Sequence, residues 1–82
     1  MIDIKKLREE YEKTWPPIIA RNDIAAYTGG LYTAGTMQVY DSKGIGVKNL
    51  IRLKGRKIGY PKQDLIDWLL NRIEVTNVKT AE

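Results

Sequence analysis

Positive charge is unevenly distributed along this sequence of 82 residues. Residues 42–63 contain no Asp or Glu and carry seven basic side chains, which are Lys43, Lys48, Arg52, Lys54, Arg56, Lys57 and Lys62. The other residues carry seven basic and ten acidic side chains, so the formal charge of +4 combines +7 in this segment with −3 elsewhere. A local positive field attracts polyanions, of which nucleic acid is the most common. We call residues 42–63 the basic segment and predict that it binds nucleic acid; the alternative is a charged surface without a ligand.

Residue types that usually carry catalysis or bind metals are missing. The sequence has no His and no Cys, which excludes the usual zinc ligands and any disulfide. General acid–base chemistry would depend on exposed carboxylates, lysines or tyrosines, and no motif brings such groups together. Glu9, Glu10 and Glu12 are interspersed with basic residues, as on a solvated helix face. We therefore expect no enzyme activity, no cofactor and no metal site.

Length and composition indicate one small globular domain. Hydrophobic residues make up 43% of the sequence and charged residues 29%, as in ordinary folded proteins. No apolar run approaches the roughly 20 residues of a membrane helix, and the first residues lack the pattern of a signal peptide. The absence of cysteine favours a cytoplasmic setting. We expect no membrane partner.

An amphipathic helix is predicted at the N-terminus, from Ile2 to about Thr14. Its apolar residues recur at helical spacing, as Ile4, Leu7 and Tyr11. The sequence Trp15-Pro16-Pro17 should end it, because proline lacks an amide hydrogen and keeps the preceding residue extended. We expect residues 1–17 to form an arm with a Pro-Pro linker, and we consider the helix a candidate surface for homodimerisation or for a protein partner.

Two short helices are predicted next. The first covers about residues 21–28 and should stop at Gly29-Gly30, because glycine readily adopts left-handed angles. Thr33 is a favourable N-cap for the second, in which Met37 and Tyr40 share a face and which Gly44 or Gly46 should end. Two short helices joined by a glycine-containing turn are typical of a helix-turn-helix.

A basic hairpin and a final helix complete the prediction. Residues 47–53 and 58–60 are extended runs that the turn Lys54-Gly55-Arg56-Lys57 connects. Pro61 suits the first turn of a helix. The apolar residues of that helix should share one face, and they are Leu65, Trp68, Leu69 and Ile73. We expect Trp68 to be a core residue and residues 75–82 to be a flexible tail.

Residues 18–69 resemble a known family of small DNA-binding proteins. The strongest similarity is Ile51-Arg52-Leu53-Lys54-Gly55-Arg56-Lys57-Ile58-Gly59-Tyr60-Pro61, followed by an acidic helix that ends in Trp68-Leu69. Thr36-Met37-Gln38-Val39-Tyr40, followed by Gly44, is similar to the family's recognition helix. The chain resembles the excisionase and AlpA-like regulators, which are relatives of the MerR superfamily. The resemblance implies a mostly α-helical winged helix-turn-helix with a small β-hairpin over residues 18–74.

The resemblance also implies a function, which is sequence-specific binding of double-stranded DNA by a transcriptional regulator or recombination directionality factor. A recombinase or RNA polymerase would be its protein partner. The recognition helix would enter the major groove, where Gln38 can pair with adenine; the candidate contacts are Thr33, Thr36, Gln38, Ser42 and Lys43. The hairpin would contact the backbone or the minor groove, with candidates Lys48, Arg52, Lys54, Arg56 and Lys57.

A second interpretation keeps the winged fold and assigns it another function. The predicted recognition helix has no Arg or Lys before Lys43, which weakens the case for base recognition. The protein would then be an interaction or assembly adaptor of the phage packaging or replication type, docking through its N-terminal helix. Tyr32, in the turn between the two short helices, stays open between packing in the fold and stacking on a base.

Overall fold

The computed structural model describes residues 3–55 and 57–73. Helices predominate, and a small antiparallel sheet accompanies them. In chain order the elements are α1 (Ile4–Thr14), β1 (Ile18–Ala20), a 3₁₀ turn (Arg21–Asp23), α2 (Ile24–Tyr27), α3 (Ala34–Ser42), β2 (Ile51–Leu53), β3 (Lys57–Pro61) and α4 (Lys62–Arg72). Arg56 and the predicted tail at residues 75–82 lie outside the described residues.

Helix α1 begins and ends where the sequence predicts, to within two residues. The Asp3 carboxylate accepts a hydrogen bond from the backbone N–H of Lys5 at 2.9 Å, which satisfies a donor that the first helical turn leaves free. Trp15 is extended, with φ −82° and ψ 143°, as the residue before a proline should be. The local sequence therefore determines both ends of α1.

The apolar side of α1 packs on the rest of the protein. Ile4, Leu7 and Tyr11 are partly buried against the hydrophobic core, and α1 lies beside α4. An ion pair joins Arg8 to Asp67 of α4 at 2.8 Å. The side of α1 that faces solvent is consequently its charged side.

The sheet has three antiparallel strands in the order β1-β3-β2. Strand β1 pairs Ile19 with Tyr60, and β2 pairs Arg52 with Ile58. The sequence does not predict β1, because three residues are too few to show a period-two pattern. The first run of the hairpin is shorter than predicted, since β2 covers only three of the residues 47–53. The central strand β3 therefore pairs with β1 from the N-terminal half of the chain and with β2 from the C-terminal half.

Glycines and a threonine set the limits of the two short helices as predicted. Gly29 and Gly30 follow α2 with φ values of +65° and +85°, which favour glycine over residues with a Cβ. Thr33 caps α3, because its hydroxyl accepts from the backbone N–H of Thr36 at 3.3 Å. Gly44 closes α3 with a φ of +77°. The turn between the helices is therefore encoded locally.

The core lies between the sheet and the helices. Its fully buried side chains come from most elements and are Tyr60, Ile19, Ile24, Met37, Leu65, Ile66 and Leu69. Trp68 is only half-buried, so the prediction that it belongs to the core is wrong in part. Helix α4 buries Leu65, Ile66, Leu69 and Leu70. Trp68 therefore lies at the edge of the buried face of α4 and not at its centre.

Candidate nucleic-acid interface

An open groove of about 830 Å³ lies between α3, the 3₁₀ turn and the β2–β3 hairpin. We call it the α3–hairpin groove. Its charged and amide side chains are Arg21, Asn22, Asp23, Gln38, Arg52 and Lys57. Gln38, Arg52 and Lys57 are predicted DNA-binding residues, and the fold brings them to one surface from α3, β2 and β3. The groove combines a side chain that can recognise a base with two that can bind phosphates.

The surface that α3 presents to solvent is uncharged. Gly35, Gln38, Val39 and Ser42 are all exposed, and their spacing of three and four residues places them along one side of the helix. Met37 is fully buried on the opposite side. We call these four residues the α3 outer face.

The hydroxyl groups predicted to contact DNA are bonded within α3. Thr33 caps the helix and donates to the Thr36 hydroxyl at 3.1 Å, and Thr36 is half-buried. The Ser42 hydroxyl donates to the carbonyl of Val39 at 2.9 Å. Lys43 is exposed at the C-terminal cap. Among the described residues nothing hydrogen-bonds the Gln38 amide, so it is free to bind a ligand.

The hairpin presents its cations to solvent. Arg52, Lys54 and Lys57 are exposed, and neither of the two ion pairs between described residues includes them. Gly55 forms the turn with a φ of +83°. Arg56, also predicted to contact DNA, lies outside the described residues. The hairpin therefore carries unneutralised charge along one wall of the α3–hairpin groove.

Lys48 lies in a different environment from the hairpin cations. It lines a second groove of about 490 Å³ beside α4. We call this the α4 groove, and its polar and aromatic lining residues are Lys48, Asp64, Asp67, Trp68, Asn71 and Arg72. One predicted DNA-binding residue therefore lines a different groove from Gln38, Arg52 and Lys57, and that groove also contains two carboxylates. The linear sequence gives no sign of this separation.

A buried polar network joins the elements around the α3–hairpin groove. The Asp41 carboxylate on α3 forms an ion pair with Arg21 at 2.5 Å and accepts a hydrogen bond from the Tyr60 hydroxyl at 2.6 Å. Arg21 Nε donates to the same hydroxyl at 3.0 Å. The exposed fractions of the Arg21 and Asp41 side chains are 18% and 8%. The network ties α3 to the 3₁₀ turn and to β3.

Burial keeps the Tyr60 hydroxyl protonated. Loss of solvation raises the pKa of Tyr60 to about 12, and the neighbouring Asp41 carboxylate adds to this while Arg21 opposes it. The hydroxyl therefore keeps its proton, and its hydrogen bond to Asp41, at alkaline pH values at which an ordinary tyrosine ionises.

Sequence reasoning missed this network, although one signal was present. Asp41 follows Met37 by four residues and so lies on the buried side of α3, where a carboxylate needs a cationic or donor partner. Gly46 leaves room for the carboxylate, because a Cβ at that position would overlap it.

Comparisons with known proteins add no assignment to this geometry. No family model, no curated protein and no solved structure matches the chain. In the ranges 3–55 and 57–73, no group of three acidic residues is placed to hold a metal ion. No helix of the described part of the chain combines the length and the apolar composition that crossing a membrane requires.

Proposed function

We propose that this protein is a winged helix-turn-helix that binds double-stranded DNA at specific sequences. Helix α3 enters the major groove, and the hairpin acts as the wing on the backbone or in the minor groove. The observation that carries the proposal is the α3–hairpin groove, in which Gln38 lies opposite Arg52 and Lys57. The biological role would be transcriptional regulation or control of recombination in the cytoplasm, with RNA polymerase or a recombinase as protein partner.

The two walls of the groove would make different contributions. Cations on the hairpin neutralise phosphates and release counterions, which gives affinity without sequence preference. With about five such contacts, the logarithm of the binding constant should fall with the logarithm of salt concentration at a slope near −4 to −5. The uncharged α3 outer face adds little to affinity for random DNA. Its contribution is discrimination between base pairs, worth roughly 1–3 kcal/mol for a bidentate contact.

Fluorescence anisotropy across a salt series tests the proposal. Labelled random duplex is compared with a duplex selected from a random pool for tight binding. The double variant Arg52→Ala/Lys57→Ala should weaken binding to both duplexes and flatten the salt dependence. Gln38→Ala should reduce the preference for the selected duplex and leave binding to random duplex unchanged. Absence of duplex binding at low salt would contradict the proposal.

The adaptor function is the second candidate, and the lack of cations on the α3 outer face favours it. Docking would use the exposed side of α1, where Glu9 and Glu10 lie. Deleting α1 would uncover the core, because Tyr11 stacks on the buried Trp15 ring at 4.1 Å. Charge reversal is the cleaner test: Glu9→Lys/Glu10→Lys should abolish homodimerisation or partner binding, measured by sedimentation or pull-down, and should leave DNA affinity undiminished.

A further inference from the structure

The α3 outer face has a composition that selects among base pairs. It consists of Gly35, Gln38, Val39 and Ser42 and carries no charge, and Val39 is 47% exposed. We infer that this face recognises A·T base pairs in the major groove, with Gln38 hydrogen-bonded to adenine and Val39 in contact with the methyl group of thymine. The inference rests on the proposed function and specifies which base pairs the protein recognises in DNA.

Gln38 matches adenine better than guanine. Adenine presents one acceptor, N7, and one donor, the N6 amino group, to the major groove, whereas guanine presents two acceptors. A carboxamide offers one donor and one acceptor, so it can form both hydrogen bonds with adenine. Guanine is best bound by the paired donors of Arg or Lys, and the α3 outer face contains neither. The side chains present thus favour adenine.

Val39 supplies the apolar contact that thymine requires. The C5-methyl group of thymine is the apolar feature that marks an A·T pair in the major groove. Side chains on an α-helix lean toward its N-terminus, so the isopropyl group of Val39 leans toward Gly35, four residues earlier. Because Gly35 has no side chain, it leaves more room for a base edge beside Val39 than any other residue type would.

The hairpin explains why DNA rather than an apolar protein surface should cover Val39. Gly35 and Gln38 line the same groove as Arg52 and Lys57, and Val39 follows Gln38 on the exposed side of α3, so a ligand that covers Gln38 and Val39 together also meets these two cations. An apolar docking partner would have to desolvate or neutralise both charges. A duplex meets them with phosphates and meets Val39 with a methyl group, so it complements both parts of the surface.

Removing the thymine methyl group tests the inference directly. Each thymine of a duplex selected for tight binding is replaced in turn by deoxyuridine, and each adenine by 7-deazaadenine, which lacks the N7 acceptor. We expect one or two deoxyuridine positions to weaken binding by about three- to fivefold, the effect of one buried methyl group. Val39→Ala should reduce the uracil penalty, because it removes two of the three side-chain carbons that contact the thymine methyl group, and Gln38→Ala should lose its sensitivity to 7-deazaadenine.

Matched variants separate this inference from the proposed function. Leu31 is also apolar and is 74% exposed, but it lies outside α3, so Leu31→Ala should keep the full uracil penalty. A selected duplex without A·T preference, or a uracil penalty that is undiminished in Val39→Ala, would overturn the inference while duplex binding itself continues. If wild-type protein binds no duplex at low salt, the proposed function fails instead.

Discussion

The two grooves of this protein differ in how their charges are balanced. The α3–hairpin groove is lined by Arg21, Arg52 and Lys57 with one acid, Asp23, whereas the α4 groove contains two cations and two acids. Lys48 belongs to the same acid-free segment as the hairpin cations, yet it lies with Asp64 and Asp67. A run of charge that is continuous in sequence is therefore divided in space. The grooves differ in how their cations are engaged: Arg52 and Lys57 have no ion-pair partner among the described residues, whereas Arg72 of the α4 groove lies over aromatic rings.

The other cation of the α4 groove, Arg72, contacts aromatic side chains of the protein itself. The Arg72 guanidinium lies over the rings of Tyr40 and Trp68, at 4.7 and 4.8 Å from their centroids. Trp68 in turn packs against Tyr32 and donates from Nε1 to the carbonyl of Ile45. Such contacts stabilise the exposed end of α4. They also leave Arg72 less available to an external ligand than Arg52 or Lys57.

The largest expected difference between the two grooves is the loss of stability when the ion pair beside each groove is broken. Asp41→Ala should lower the free energy of unfolding by about 3 kcal/mol, because it leaves Arg21 charged, mostly buried and without its partner. Asp67→Ala breaks the exposed pair with Arg8 and should cost less than about 1 kcal/mol. Urea denaturation measures both values. Equal losses for the two variants would mean that the Arg21–Asp41–Tyr60 network does not hold the α3–hairpin groove together.

A smaller difference should appear in DNA binding when one lysine is neutralised in each groove. Lys57→Gln should weaken binding to random duplex about three- to tenfold and make the salt slope shallower by about 0.9, which corresponds to one phosphate contact. Lys48→Gln should change neither quantity measurably, because Lys48 lines the α4 groove with Asp64 and does not line the α3–hairpin groove. The same salt series of anisotropy titrations gives both results. Comparable losses would place DNA over both grooves.

The smallest expected effect is the change in duplex affinity when one aspartate in each groove is neutralised. Asp23 is exposed in the α3–hairpin groove, where it repels phosphate, so Asp23→Asn should tighten duplex binding about two- to threefold at low salt. Asp64→Asn is the matched control in the α4 groove and should leave affinity unchanged. The gain for Asp23→Asn should vanish at high salt. A gain of equal size for both variants would indicate a long-range charge effect and no local contact.

The sequence predicts those parts of the fold that depend on neighbouring residues. The ends of α1, the Gly29-Gly30 turn, the Thr33 cap and the Gly55 turn all follow from local backbone chemistry. Strand β1 does not, because three residues are too few to show a period-two pattern and its partner β3 lies about 40 positions later. The partial exposure of Trp68 was not predictable for a related reason. Helical periodicity shows which apolar residues of α4 share a face, but it does not show which of them lie at the centre of the buried face.

The candidate site was predictable to a similar extent. Residue types alone indicate that Gln38 and the hairpin cations suit DNA, and the fold brings Gln38, Arg52 and Lys57 to one groove. Two features depend on contacts between distant segments. One is the position of Lys48 in the α4 groove, and the other is the ion pair between Arg21 and Asp41. Helical spacing indicates that Asp41 needs a partner, but the identity of that partner and the neighbours of Lys48 depend on how distant segments pack.

Strand β2 lies at an edge of the sheet, and this position gives Arg52 a second consequence. An edge strand has unpaired backbone groups that can add a strand from another molecule, which leads to aggregation. Strand β2 has only three residues, and Arg52 separates Ile51 from Leu53, whose side chain is 59% exposed. A charge at the centre of so short an edge opposes the approach of a second strand. The same guanidinium that we assign to DNA thus protects the free protein from assembling with itself.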